Sequence, residues 1–222
     1  MAALRSGTVL TVSFQSPVVT QWVENTTGGR DRGAAALARA WVEALVRPRR
    51  LFRSAVAPGD QAPGLAFGAA VVFVAEGTRA LLVPDIYPVL AGQPLVSTVF
   101  WLTIAVVLVA PAALHLTAAL QTVLLLAFVD DRAGVSETVQ VIAYAAAPCA
   151  LAGIPSPTVR TAAAGYGAVL LIVGLAEVHE ISLPKAAVLG ALPATLVFGY
   201  GFRGFGSAAR LVAEMETALA AL

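Results

Sequence analysis

Cysteine occurs once in this chain, at Cys149, and histidine only at His115 and His179; Asp, Glu, Lys and Arg together make up just 12% of the sequence. A single cysteine excludes an intrachain disulfide, and its apolar neighbours mark it as a small buried side chain rather than a reactive thiol. Charge this sparse is about half of what soluble domains carry. There is no phosphate-binding loop, no Ser-His-Asp constellation and no basic nucleic-acid groove. These absences remove the common nucleotide-hydrolysing, acyl-transferring and nucleic-acid-binding classes. Residues 1–20 carry Arg5, but Ser13, Gln15, Ser16 and Pro17 interrupt any apolar core, so they do not read as a secretory signal.

What the chain has instead is apolar length. Hydrophobic residues reach 59% and mean hydropathy is +0.83. The excess is gathered in blocks of roughly 18 residues or more, the length that crosses a bilayer. A formal net charge of +1 says nothing about partners; the position of the charges says more.

Residues 1–33 end in the polar, Gly-rich NTTGGRDRG and read as a disordered leader. Asn25-Thr26-Thr27 fits the glycosylation triplet, a chance match given the cytoplasmic placement argued below. Residues 34–60 predict two amphipathic helices. In AAALARAWVEALV, Leu37, Trp41 and Leu45 fall on one face with Ala38 and Val42 beside them, and Arg39 and Glu43 point elsewhere. Pro48 ends that helix. RRLFRS then sets Leu51 and Phe52 among Arg47, Arg49, Arg50 and Arg53. Such a mixture suits a helix lying on an anionic bilayer surface, where Trp41 and Phe52 find an apolar layer. A solvated basic linker is the alternative.

APGDQAPG closes this arm, and a membrane domain is expected over 61–206. Five spans are predicted, at 65–83, 95–129, 138–154, 161–178 and 183–202. The first holds Glu76 and Arg79, which can pair on one face while Arg79 snorkels to the rim. The second is about 52 Å long as one helix against about 30 Å of hydrocarbon. Nothing around Pro111 satisfies a turning backbone in lipid, so one long helix kinked at Pro111 is expected, with His115, Thr117 and Gln121 along one side. Residues 207–222 predict a C-terminal amphipathic helix with Leu211, Met215 and Leu219 on one face. The fold class is therefore all-α: a polytopic membrane helix bundle of five transmembrane helices with N-terminal amphipathic interfacial helices. Eight arginines precede the first span, and Arg132 and Lys185 fall in the second and fourth loops. This places the N-terminus in the cytoplasm and the C-terminus outside a multi-pass cell-membrane protein. Arg160, Arg203 and Arg210 then lie on the other side, and six spans would return Arg203 and Arg210 to the cytoplasm.

The densest polar stretch is GLAEVHEISLPKAA, residues 174–187. Glu177 and His179, joined by His115 at the same membrane depth, would give a His/His/Glu metal site or line a proton path. The competing reading is a wet turn between two spans, with Ser182 as N-cap and Pro184 near the first helical position. The turn is the expectation adopted, and no cofactor or metal ion is expected. GYGFRG matches a nucleotide-binding glycine pattern but closes a span, which dismisses that role. TAAAGYGAV and Gly174 supply small residues for close helix approach. Pro111, Pro148 and Pro193 interrupt three spans, as in transporters, yet no two halves match.

Two patterns stand in order along the membrane domain. The third span reads Ala143-Tyr144-Ala145-Ala146-Ala147-Pro148. The fourth span and its turn read Gly174-Leu175, Val178-His179, Ser182 and Lys185-Ala186. With the basic Pro-Arg segment before the first span, and Gly134 and Ser136 before the third, they resemble the Yip-domain family over Pro48 to Phe205. These are Rab/Ypt-GTPase-interacting polytopic membrane proteins, and the likeness is to the archaeal type. Residues 1–19 look like an addition to the family pattern. The resemblance implies five spans, a cytoplasmic N-terminus and a non-enzymatic role. It implies a trafficking-type scaffold that organises membrane or binds protein partners, or a second copy of itself, through its N-terminal arm and loops. The acidic-aromatic motif of the family's cytosolic arm is missing, so GTPase binding does not carry over. The motif residues Tyr144, Pro148, Gly174, Glu177, His179, Ser182 and Lys185 are the candidate partner or path residues. The alternative function is a small transporter or channel with a path lined by His115, Glu177 and His179.

Overall fold

Proline and glycine set the boundaries of nearly every element. The computed structural model describes residues 23, 24, 30, 31, 33–83 and 85–221. Most of the predicted leader, the Asn25 triplet and residues 1–19 lie outside the described residues. Within it, β1 (Val23–Glu24) and β2 (Arg30–Asp31) pair antiparallel, Val23 opposite Asp31. Helix α1 (Gly33–Val46) stops before Pro48, which opens α2 (Pro48–Ala55) at the one position where a missing N–H costs nothing.

Among the described residues, four helices are long and apolar enough to cross a membrane: α3 (Ala62–Leu82), the 35-residue helix Pro94–Phe128, α7 (Pro157–Val178) and the helix Leu183–Gly201. The long one is α4 (Pro94–Thr103) and α5 (Ala110–Phe128) joined by a π-helical turn, Ile104–Val109. Pro111 offers no N–H to the Val107 carbonyl and its ring crowds that oxygen. The expected break at Pro111 thus takes the form of a widened turn just before it. Similarly α8 (Leu183–Ala194), interrupted by Pro193, continues through a π-helical Thr195–Gly201. A bent pair, α6 (Val135–Ala145) meeting a tighter 3-10 helix, Ala147–Gly153, at 46°, brings the number to five if the pair is counted as one span. Pro148 has no N–H for the Tyr144 carbonyl, and the chain tightens there. The chain ends in α9 (Gly204–Ala220), whose Met215 and Leu219 are exposed.

The bent pair is the core. Residues 138–150 are all buried, enclosed by α3, α5 and α7. At Gly153 a Cβ would lie 2.1 Å from the Ala75 carbonyl oxygen, so glycine is what lets α3 cross there. Of the two glycines in TAAAGYGAV, Gly167 is pressed by the Phe198 ring while Gly165 faces open space.

The N-terminal arm departs from expectation. Leu51, Phe52 and Ala55 are buried, and Phe52 lies in a notch on α7 where a Cβ at Gly174 would sit 2.8 Å from the ring. The Trp41 indole donates to the Ala147 carbonyl at 2.8 Å. Trp41 and Phe52 therefore turn into protein rather than lipid, because α7 offers a notch and the helix break offers a carbonyl. Leu37, Trp41 and Leu45 do pack against the core, flanking buried Ala36, Ala40 and Ala44, whereas Ala38 and Val42 are exposed. Arg47, Arg49, Arg50 and Arg53 are all exposed.

Candidate functional site

Polar side chains gather at two ends of the bundle, separated by the length of α7, about 33 Å for its 22 residues. One end is the VHEIS turn. Helix α7 closes with the Ile181 N–H donating to the Ala176 carbonyl at 3.1 Å, and Glu180 takes φ +51, the place glycine usually fills in such a cap. Ser182 occupies the N-cap position of α8 and its carbonyl accepts the Ala186 N–H at 2.9 Å, but its hydroxyl makes no cap bond. The stretch is thus a turn between spans.

Glu177 ties the arm to this turn. Its carboxylate accepts from Arg53 Nε at 2.6 Å and pairs with Arg49 Nε at 3.4 Å. A cleft of about 520 Å³ opens beside the pairs, lined by Arg49, Arg53, Glu177, Glu180, Ile181 and Leu183. Both signs of charge meet in it, beside the side chains of Ala176, Ile181 and Leu183. Nearby, Gln140 holds the chain leaving α2 at two points, accepting the Ala57 N–H at 3.0 Å and donating to the Ala57 carbonyl at 2.8 Å.

His179 is buried beneath the turn, its Nε2 3.4 Å from the Thr138 hydroxyl. Thr138 also donates to the Gly134 carbonyl at 3.0 Å, an arrangement that favours the imidazole proton on Nε2. Burial, with Arg132 nearby, pulls the His179 pKa down to about 4, so the ring is neutral at pH 7.

The other motif residues are dispersed. Tyr144 is buried, edge-on to Phe67 at 5.1 Å, and Phe67 meets Trp41 at 6.3 Å, an aromatic column through the arm and core. Pro148 makes the core bend, and Lys185 is exposed. His115 is exposed too, its Nδ1 2.7 Å from the Pro111 carbonyl of its own helix, whereas Thr117 and Gln121 turn inward. The expected single side for these three is therefore corrected: His115 lies on a different face. No three His, Cys, Asp or Glu side chains among the described residues are grouped to hold a metal ion.

At the opposite end stands Glu76. It pairs with Arg79 at 3.4 Å, as the spacing predicts, and also with Arg203 in a short contact, and it accepts the Tyr87 hydroxyl at 2.9 Å. Burial and the Glu76 carboxylate push the Tyr87 hydroxyl up to about 12. Arg160 staples the neighbouring segments, donating to the Ala152 carbonyl at 2.8 Å, the Ile154 carbonyl at 3.1 Å and the Ser207 hydroxyl at 3.4 Å. Sequence reasoning missed Tyr87 and registered Arg160 only as a cation on the less basic side. It registered Arg203 in the same way, because its partner is 127 positions away.

The model of the Yip1 domain family matches residues 42–202, and that family is not known as enzymatic. Neither the curated proteins nor the solved structures hold a significant match. The match takes in the arm from Val42 onward, the bent AYAAAP helix and the VHEIS turn, most of the described membrane helices included. This multi-pass membrane protein therefore belongs to the Yip1 domain family.

Proposed function

We propose that the chain is a non-enzymatic membrane organiser of the Yip type that binds a protein partner in the cleft between α2 and the VHEIS turn. The observation that carries this reading is the clamped arm. Phe52 in the Gly174 notch and Arg49 and Arg53 on Glu177 fix one wall of a cleft that stays open and bears both charges. Specific partners engage such mixed-charge surfaces by complementarity. The exposed arginines of α2 favour placing this face in the cytoplasm, against an anionic leaflet. Against transport stands His115, which is exposed and bonded to its own helix rather than facing His179.

A photo-crosslinking residue at Glu180 should trap one protein of defined mass in cells, either a second copy or another chain. Absence of any trapped protein counts against the reading. Proteoliposomes should carry no proton flux. A flux abolished by His179→Ala would replace partner binding with transport. Sidedness is checked by a cysteine at Ala220 in a Cys149→Ser background. Labelling by an impermeant maleimide on intact cells is expected, and labelling only after lysis would overturn the proposed orientation.

A further inference from the structure

A second cavity, of about 320 Å³, lies among the membrane-length helices, away from the cleft. It is a slot along α3, from Leu65 past Ala69 and Val72 to Glu76, walled by apolar side chains of α5, α6 and the Thr195–Gly201 segment, with Arg203 at its polar end. Its volume is at the lower edge of the range for ligand sites. Both π-helical turns line it, Ala105 and Val109 from one, Leu196, Val197 and Gly201 from the other. Widened turns of this kind cost helix stability and recur at functional positions. Arg203 itself holds φ +60, a left-handed backbone strained for a non-glycine residue, which aims its guanidinium at Glu76.

The charge at the polar end is lopsided. Arg79, Arg203 and Arg210 are each close enough to Arg160 to act on it electrostatically, and Arg203 is the one of the four that lines the slot. Glu76 is the one carboxylate that an ion pair joins to them among the described residues. An apolar slot ending in an excess of guanidiniums is complementary to a chain with an anionic head. Guanidiniums also match phosphate oxygens in geometry.

We propose that this slot binds one acyl chain of an anionic phospholipid, with the phosphate at Arg203 and its neighbours. The site is independent of whether the cleft at the other end binds a protein. Lipid and protein meet at the bundle's edge, so the headgroup replaces part of Arg203's contact with Glu76 rather than adding a charge to a dry interior.

Native mass spectrometry of the detergent-purified full chain, titrated with phosphatidylglycerol or phosphatidylcholine, tests this. Wild type should retain one phosphatidylglycerol at least tenfold more tightly than phosphatidylcholine. Arg203→Gln removes the guanidinium at the slot's end while Glu76 keeps Arg79 as its partner, and should erase the preference. Val72→Trp fills the slot and should lower retention of both lipids at least fivefold. Equal retention of the two lipids by wild type would sink the proposal. For wild type alone, a photoactivatable acyl chain on phosphatidylglycerol should label peptides bearing Ala69, Val72 or Ala143. Labels confined to the outward Leu108 and Val123 would mean ordinary boundary lipid and overturn the proposal.

Discussion

The two ends of the bundle carry similar chemistry in opposite surroundings. At the Glu177 end, one carboxylate meets two arginines whose side chains are 60% and 68% exposed. At the Glu76 end, one carboxylate meets two arginines at 25% and 31%. Water screens the first set and largely leaves the second alone. The same residue types thus make an adjustable clamp on the arm at one end and a structural lock at the other. The difference also explains why α3, carrying a glutamate near its rim, still reads as a span: Arg79, Arg203 and Tyr87 enclose the charge that lipid would reject.

The largest expected effect breaks the lock. Glu76→Ala strands Arg79 and Arg203 together, and stripping the carboxylate from this part-buried set costs up to about 3–5 kcal/mol, the figure for a fully buried pair. Equilibrium unfolding in mixed detergent should place the variant's midpoint far below wild type. If the midpoint holds, the pairs at this end are as dispensable as those at the other, and the contrast fails.

Next comes acid. His179 has a folded pKa of about 4 against an ordinary 6.5, so the native state binds its proton more weakly than the unfolded chain. Its contribution is complete above about pH 6.5 and is lost as pH falls towards 4, at most about 3 kcal/mol. Wild type should lose stability over that window, and His179→Gln should lose less of it. Matching pH profiles for the two proteins would mean that His179 is solvated and the turn is open to water.

How far the sequence disclosed this contrast depends on distance along the chain. The apolar blocks are local, and four of the expected spans lie within a few residues of a membrane-length helix, 183–202 for example at Leu183–Gly201, while 138–154 falls on the bent pair. Pro111 and Pro148 announced breaks because a missing N–H acts on its own helix. The VHEIS turn was legible for the same reason. What stayed hidden was pairing across the fold. Phe52 looked destined for lipid because its notch, Gly174, belongs to another helix. Arg203 looked misplaced because Glu76 is 127 residues away. Gln140, at the centre of a buried helix, gave no periodic signal that it holds Ala57. The match to the Yip1 domain family fixes the class of protein, whereas the chemistry of either end rests on contacts between distant segments.

A third test separates packing from charge at the clamped arm. Gly174→Ala places a Cβ 2.8 Å from Phe52 and from Val141, an overpacking worth about 1–3 kcal/mol. The arm should lift, and trypsin should cut at Arg49, Arg50 or Arg53 faster than in wild type. Gly165→Ala, on the same helix but facing open space, is the matched control and should leave the cleavage rate unchanged. Equal protection in both variants would mean that Phe52 does not hold the arm.

The smallest effect is the most informative about function. Arg49→Gln/Arg53→Gln removes both charges from Glu177, yet exposed pairs contribute only about 0–1 kcal/mol and weaken further with salt. Unfolding of this variant should stay within about 1 kcal/mol of wild type, with Phe52 still in its notch and trypsin access at Arg50 unchanged. The cleft, however, loses its positive wall. Crosslinks formed at Glu180 should therefore fall severalfold while the fold persists. Had stability dropped as sharply as for Glu76→Ala, the two ends would be electrostatically equivalent. If stability and crosslinking both hold, partners do not use the arginines, and binding to this face rests on Ile181 and Leu183 instead.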